Sequence, residues 1–263
     1  MARATGTGSL MHAAAEVARR AGAVALKSWR RSLVVERKRD GSPVTRADRD
    51  AERSARQWIG RRFPRDGILG EEFGESPGSS GRRWLIDPID GTRTFVRGVP
   101  LWGTLVAVVE GETVLAGAAV FPAVAEALAA APGEGCWHDG ARCAVSGVTR
   151  LSAATVLATN EHAFPTRRAR RGWESLAAAA HLVRTWGDCY GYLLVATGRA
   201  EVMVDARLGA WDAACFVPIL EEAGGVFTDW RGRATAFGGD AIGTNRGVAR
   251  STRRLLIPQG SAG

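Results

Sequence analysis

Between residues 9 and 30 the apolar positions Leu10, Ala14, Val17, Ala18, Ala21, Val24, Ala25 and Leu26 recur at spacings of three and four, the mark of an amphipathic helix. A short strand is predicted at Leu33 to Glu36. Gly41-Ser42-Pro43 reads as a turn, and Thr45 stands where it would cap a second helix running to about Arg62, which Pro64 and Gly67 stop. Apolar strands follow around Ile68 to Glu71 and Trp84 to Asp87, with a loop from Gly74 to Gly81 between them. Residues 102–109 and 113–120 form a hairpin about Glu110-Gly111-Glu112, and 124–130 with 135–138 form another. Beyond that point the pattern changes: strands at 154–158, 183–186, 202–205 and 226–228 alternate with helices at 170–181, 188–197 and 211–223. The alternation predicts an α/β fold with helices layered on sheet, divided softly near Ser146 into an α+β unit, 1–145, and an α/β unit, 146–263.

Composition narrows the class. The chain has 263 residues, 46% hydrophobic and 24% charged, as soluble globular proteins do. No run of about 18 uncharged apolar residues appears, so no membrane span is expected. The start, Met1 to Gly8, leads into the first helix without the apolar core of a signal peptide, and a cytoplasmic location is the expectation. Thirty-five basic against 27 acidic residues leave a net charge of +8, which raises nucleic acid as a partner. Two features argue against it: Lys27 and Lys38 are the only lysines among many arginines, and the largest basic cluster, Arg167, Arg168, Arg170 and Arg171, carries no interleaved aromatic residue. Cys136, Cys143, Cys189 and Cys215 match no disulfide or zinc-ribbon spacing. Cys136, His138 and Cys143 could be taken for a zinc cluster, but Asp139-Gly140 between them reads as a hairpin turn, which leaves buried thiols.

The segment Trp84-Leu85-Ile86-Asp87-Pro88-Ile89-Asp90-Gly91-Thr92 carries the most chemistry. An apolar strand delivers Asp87, which Pro88 holds extended, and a turn at Pro88-Ile89 lets Asp90 face the same point together with the Ile89 carbonyl. Oxygen-only donors of this kind suit hard cations such as Mg²⁺. The amides of Gly91, Thr92 and Arg93, at an expected helix start, suit a phosphate. An ordinary Asp-Gly turn is the plain alternative. In Gly70-Glu71-Glu72 neighbouring side chains point to opposite faces, so Glu71 is the direct ligand and Glu72 a support. Asp212, in Trp211-Asp212-Ala213-Ala214, is either a further ligand or a helix cap.

Together Gly70-Glu71-Glu72, Trp84 to Thr92 with Phe95, Gly98 and Pro100, and Trp211 to Ala214 followed by Glu222-Ala223-Gly224-Gly225 resemble the inositol monophosphatase family, with Ser42-Pro43-Val44-Thr45 and Asp48 as a fourth match. The likeness spans about residues 10 to 245. It implies a sandwich of alternating helix and sheet layers, a homodimer, and Mg²⁺-dependent hydrolysis of a small phosphorylated metabolite, with two or three ions per site and Mn²⁺ as a possible substitute. It also implies roles. Glu71, Asp87 and the Ile89 carbonyl would hold one ion, and Asp87, Asp90 and Asp212 another. Thr92 and Glu71 would orient the attacking water, Asp48 would back Thr92, and Lys38 would be an auxiliary charge. Clustered carboxylates demand such neutralisation on physical grounds.

The ester is a separate question. Gly187-Asp188-Cys189-Tyr190, Pro100-Leu101-Trp102-Gly103-Thr104 and Pro218 look more like the histidinol-phosphatase branch than the inositol phosphatases, which makes L-histidinol phosphate the expected substrate and inositol 1-phosphate the alternative. Asp188 and Asp205 would face the cationic end of the former. Asp188 could instead cap the helix after Gly187. A basic nucleic-acid-binding protein, or a catalytically silent relative serving as an interaction partner, are the readings from other classes. The silent reading predicts loss of a metal ligand, and every motif position is intact.

Overall fold

The computed structural model describes residues 6–39, 41–162 and 164–257; residues 1–5 of the expected helix lead and the last six of the expected second unit lie outside them. The first half runs α1 (Thr7–Leu26), β1 (Val35–Arg37), β2 (Pro43–Thr45), α2 (Arg46–Arg62), β3 (Gly67–Gly70), β4 (Gly74–Ser76), β5 (Arg82–Asp90), α3 (Thr92–Phe95), β6 (Gly103–Glu110), β7 (Thr113–Phe121), β8 (Glu126–Ala131), β9 (Gly135–His138) and β10 (Ala141–Arg142). After a 3₁₀ turn at Leu151–Ala153 come β11 (Thr155–Ala158), α4 (Arg167–Ala179), β12 (Leu182–Arg184), α5 (Cys189–Ala196), β13 (Val202–Asp205), α6 (Ala210–Ala213), α7 (Phe216–Glu222), β14 (Val226–Thr228), β15 (Ala241–Thr244) and α8 (Ala249–Leu256). No described helix is long and apolar enough to cross a membrane.

Three cores explain the layering. The larger sheet has the order β10-β9-β8-β7-β6-β5-β3-β4 and the smaller β12-β11-β13-β15-β14. On β5, Trp84 and Ile86 point to one face and Leu85 to the other, as the period of two requires. The first face packs on α1 and α2. The second packs with α5 and α7 against Met203 and Phe227 of the smaller sheet, so one core joins residues from both sides of Ser146. The outer face of the smaller sheet, through Val156, Val202, Val204 and Ile242, is covered by α4 and α8. The result is an α/β sandwich of five alternating layers. Burying a side chain such as Ile86 or Leu85, both fully inaccessible, is worth about 1.5 to 3 kcal/mol.

Several sequence expectations need correction. The turn at 41–43 leads directly into β2, which pairs with β1, and the expected loop 74–81 begins with β4, an edge strand paired to β3. The single helix expected at 211–223 is two, α6 and α7. Neither β15 nor α8 was foreseen. The strand expected to end at Asp87 continues to Asp90, with a register shift between the two aspartates.

Candidate active site

Two parallel strands bring the first carboxylates together. β3 and β5 pair parallel, Gly70 opposite Ile86, and the Glu71 amide extends the ladder by donating to the Ile86 carbonyl at 3.1 Å. Parallel strands share one C-terminal edge, so Glu71 and Asp87 emerge side by side. The irregularity after Asp87 then turns the chain. Asp87 Oδ1 accepts from the Ile89 amide at 2.9 Å, and the Thr104 hydroxyl holds the Pro88 carbonyl at 2.8 Å. Asp212 arrives from α6, where its carboxylate accepts from the Gly209 amide at 2.7 Å. It is therefore a cap, and it is also more than a cap: Asp87, Asp90 and Asp212 each offer an oxygen within 4.8 Å of the others. Three converging carboxylates are the donor set a hard divalent cation takes. Among the described residues this is the one such group, so Cys136, His138 and Cys143 do not form a metal cluster.

The electrostatics follow. Burial pushes Asp87 well above the usual carboxylate range, with Glu71, Asp212 and Asp90 adding to it. Asp90 is raised likewise by burial, then by Asp188 and Asp212, against the pull of the Cys189 amide. Burial lifts Asp212 to about 6. Such crowding is costly while the groups are anionic and is relieved by a bound cation.

Glu71 and Glu72 are gripped from two sides. Lys38 Nζ donates to Glu71 at 2.6 Å and to Glu72 at 2.7 Å, and although burial draws the ammonium down, these two bonds outweigh it and hold Lys38 above its usual value. Burial raises Glu72 to about 7. From below, Glu52 of α2, with its carboxylate fully buried, accepts from the Glu72 amide at 2.7 Å, the Phe73 amide at 3.3 Å and Arg56 Nε at 2.6 Å. Sequence reasoning missed Glu52. Its signal was the spacing Asp48, Glu52, Arg56, one stripe of a helix facing the site. The clamp needs Gly70, since a Cβ there would lie 2.0 Å from Glu52 Oε1. Glu52→Ala, which takes the carboxylate from Arg56 Nε and leaves two amides without their acceptor, is expected to cost about 2 to 4 kcal/mol, measurable by urea unfolding; an unchanged midpoint would remove Glu52 from this role.

Gly91 opens α3 with φ +83°, a left-handed conformation that disfavours a side chain. The Thr94 and Phe95 amides both bond the Gly91 carbonyl, which places the Gly91, Thr92 and Arg93 amides among the first, unbonded donors of the turn. Thr92 Oγ1 lies 3.0 Å from the Ile89 carbonyl and 3.3 Å from Asp48 Oδ1. Asp48 works twice, because its other oxygen accepts from the Thr45 amide and hydroxyl in the capping box of α2.

Asp188 does not cap α5. It occupies the cap position with φ 49° and ψ −155°, a region rarely populated by non-glycine residues, and makes no side-chain cap bond; the Cys189 amide donates instead to Asp90 Oδ2 at 2.5 Å. The Asp188 carboxylate turns toward α3 and accepts from the Thr94 hydroxyl at 3.1 Å. Asp205 lies deeper. Burial lifts it to about 7 against the bonds of Thr159 and Tyr192, and Tyr192 donates to it at 2.9 Å.

A sequence profile described as the inositol monophosphatase family matches residues 8–259. The chain belongs to the inositol monophosphatase family. It is 46% identical over 241 residues to a histidinol-phosphatase of Chlorobaculum parvum, covering 90% of this chain and 93% of that protein. A histidinol-phosphatase of Mycobacterium tuberculosis is 39% identical over 218 residues, covering 81% and 84%. The fold superposes on the extragenic suppressor protein suhB of Bartonella henselae with a TM-score of 0.89 at 26% identity, covering 94% and 98%. An acidic cluster at the end of β5, facing a helix start, is thus part of a phosphatase of the inositol monophosphatase family.

Proposed function

We propose that this phosphatase hydrolyses L-histidinol phosphate to L-histidinol and phosphate with Mg²⁺, Mn²⁺ serving as a substitute. The convergence of Asp87, Asp90 and Asp212 beside Glu71 carries the reaction class, and the similarity to two proteins named histidinol-phosphatase supports the substrate. The N-terminal unit, residues 1–145, supplies Glu71, Asp87, the Ile89 carbonyl and Asp90, and the C-terminal unit, residues 146–263, supplies Asp212, Asp188 and Asp205. A homodimer working in the cytoplasm completes the reading.

Glu71, Asp87, the Ile89 carbonyl, Asp90 and Asp212 would hold two or three divalent cations, which when bound would acidify a water and offset charge on the departing oxygen. The chain's own residues do the rest. The Gly91, Thr92 and Arg93 amides receive the phosphoryl oxygens, with fixed dipoles that need no rearrangement. Thr92 Oγ1 and Glu71 orient the water, and Asp48 holds the threonine hydroxyl from behind. Lys38 keeps Glu71 and Glu72 in place. No phosphorylated residue is required, because positioning and charge stabilisation are what phosphoryl transfer chiefly needs. Thr92→Ala is expected to lower kcat about 100 to 10,000-fold with little change in the Mg²⁺ concentration required. An unaltered rate at saturating Mg²⁺ would reduce Thr92 to a helix-start residue.

Asp188 and Asp205 give the substrate reading its own test. Histidinol phosphate carries an ammonium and an imidazole, whereas inositol is an uncharged polyol, so carboxylates favour the former. A unit charge pair at 4 Å is worth about 4 kcal/mol at an effective dielectric of 20, before desolvation is subtracted. Because Asp188 makes no cap bond, Asp188→Asn removes charge without removing a helix cap. It is expected to cut kcat/KM for histidinol phosphate by at least about tenfold and to leave slow turnover of inositol 1-phosphate in place. Equal losses on both esters would show that Asp188 acts only through Thr94 and α3.

A further inference from the structure

We propose that Cys136 and Cys143 are a reversible disulfide site, closed by exchange with a low-molecular-weight disulfide. The two thiols lie across the end of the hairpin formed by β9 and β10. The register Ala141 to His138 and Arg142 to Trp137 continues one step to set Cys143 opposite Cys136, where the Cys143 amide donates to the Cys136 carbonyl at 3.1 Å. Hydrogen-bonded antiparallel partners have Cα atoms about 5.5 Å apart, inside the span of about 4.4 to 6.8 Å that a disulfide bridges. Their sulfurs are already close, 3.3 Å apart and within reach of a thiol hydrogen bond. The turn between them is fixed, with φ 49° at Asp139 and 83° at Gly140.

The pair is asymmetric in a way that orders the exchange. Cys143 is half-buried and Cys136 fully buried, so an outside reagent meets Cys143 first. The neighbouring Cys136 thiol lowers the Cys143 thiol from its usual range, which favours the thiolate needed for attack. The Cys143 thiolate attacks one sulfur of the reagent disulfide, forming a mixed disulfide and expelling one thiol. Cys136, whose thiol the Cys143 bond and burial hold above its usual range, then attacks Cys143 Sγ as its proton passes to the departing sulfur, forming the internal bond and expelling the second thiol. Two protein thiols are oxidised by two electrons, and the reagent disulfide is reduced to two thiols. Cys189 and Cys215 take no part, being buried in the core away from a half-buried thiol partner such as Cys143 gives Cys136.

The link would also have a mechanical consequence. β10 is the edge strand of the larger sheet, and the chain leaves it through Cys143 toward the smaller sheet, where the Val145 amide bonds the Ala223 carbonyl and the Ser146 hydroxyl bonds Glu201. A disulfide at Cys143 fastens the edge strand where that crossing begins.

The test incubates the native protein with oxidised glutathione, quenches and alkylates it in denaturant, and maps the digest by mass spectrometry. The expected result is a fall from four alkylated cysteines to two, with a peptide cross-linked through Cys136 and Cys143 that dithiothreitol separates. Cys136→Ser is expected to stop at glutathione attached to Cys143, and Cys143→Ser to leave Cys136 unmodified. Wild-type protein that keeps four free thiols, that stops at a glutathione adduct on Cys143, or that links Cys143 to a second chain would overturn the proposal.

Discussion

Replacing Asp87 by asparagine is expected to lower phosphate release at saturating Mg²⁺ about 1,000-fold or more while raising the melting temperature of the cation-free protein at pH 8. The two effects have opposite signs for one reason. Asp87 is buried against Glu71, Asp212 and Asp90, and its anionic form suffers most from burial and then from those neighbours. Asparagine keeps the shape and an oxygen for the Ile89 amide but brings no charge to be crowded. It also brings none to hold a cation, and in the ligand sets implied by the family motifs Asp87 serves both ions. Steady-state kinetics and thermal unfolding on the same preparation read the two halves. A rate near that of the unaltered protein would refute the assignment of Asp87.

The second large effect is a dependence of stability on pH that Mg²⁺ abolishes. A carboxyl whose pKa is higher in the folded than in the unfolded chain stabilises the fold fully below the unfolded value, and that contribution is lost as pH rises through the folded value. Asp212 is raised from 3.8 to about 6, and Glu72 from 4.5 to about 7, each chiefly by burial. Without cations, stability should therefore fall between pH 4 and about pH 7 on these groups. Asp212 alone accounts for a loss on the order of 3 kcal/mol once it is ionised. For a chain of this size that is a drop of about 5 °C or more in Tm from pH 4 to pH 8, most of it taken before pH 6. Saturating Mg²⁺ should restore most of it at pH 8 and add much less at pH 5.5, because protonated carboxyls bind cations poorly. A Mg²⁺-induced rise in Tm that is equal at both pH values would contradict the carboxylate account.

The site was legible where its residues are local. Trp84 to Thr92 holds a strand, a proline-fixed bend and a glycine turn within nine residues, and the structure keeps them in that form, extending the strand to Asp90. Thr45 was legible as a cap because capping is local too, although the part Asp48 plays in the same capping box was not read from the sequence. Contacts between distant segments were not. Glu52 meets the Glu72 amide across 20 residues, and Asp188 meets Thr94 across 94, so neither spacing along the chain nor helix propensity announces them. Capping was the alternative to a substrate contact for Asp188, and only the fold shows that Asp90 takes the Cys189 amide in its place. Among the elements, β15 was missed because Ala241-Ile242-Gly243-Thr244 is only four residues long, is interrupted by a glycine and stands between Gly239-Asp240 and Asn245, so it reads as loop. Helix α8 was missed because Arg250, Arg253 and Arg254 hide a narrow apolar stripe, of which Leu256 is buried. The split between α6 and α7 falls at Ala214-Cys215, two residues with no breaker signal.

The most direct measurement is phosphate release by the purified protein from histidinol phosphate, inositol 1-phosphate, fructose 1,6-bisphosphate and adenosine 3′,5′-bisphosphate, each with Mg²⁺ and with a chelator. The expected result is highest kcat/KM on histidinol phosphate, lower turnover of inositol 1-phosphate, and loss of all activity in chelator that Mg²⁺ restores. Preference for inositol 1-phosphate would contradict the substrate while leaving the cation-dependent site intact. Hydrolysis undiminished by the chelator would contradict the site itself.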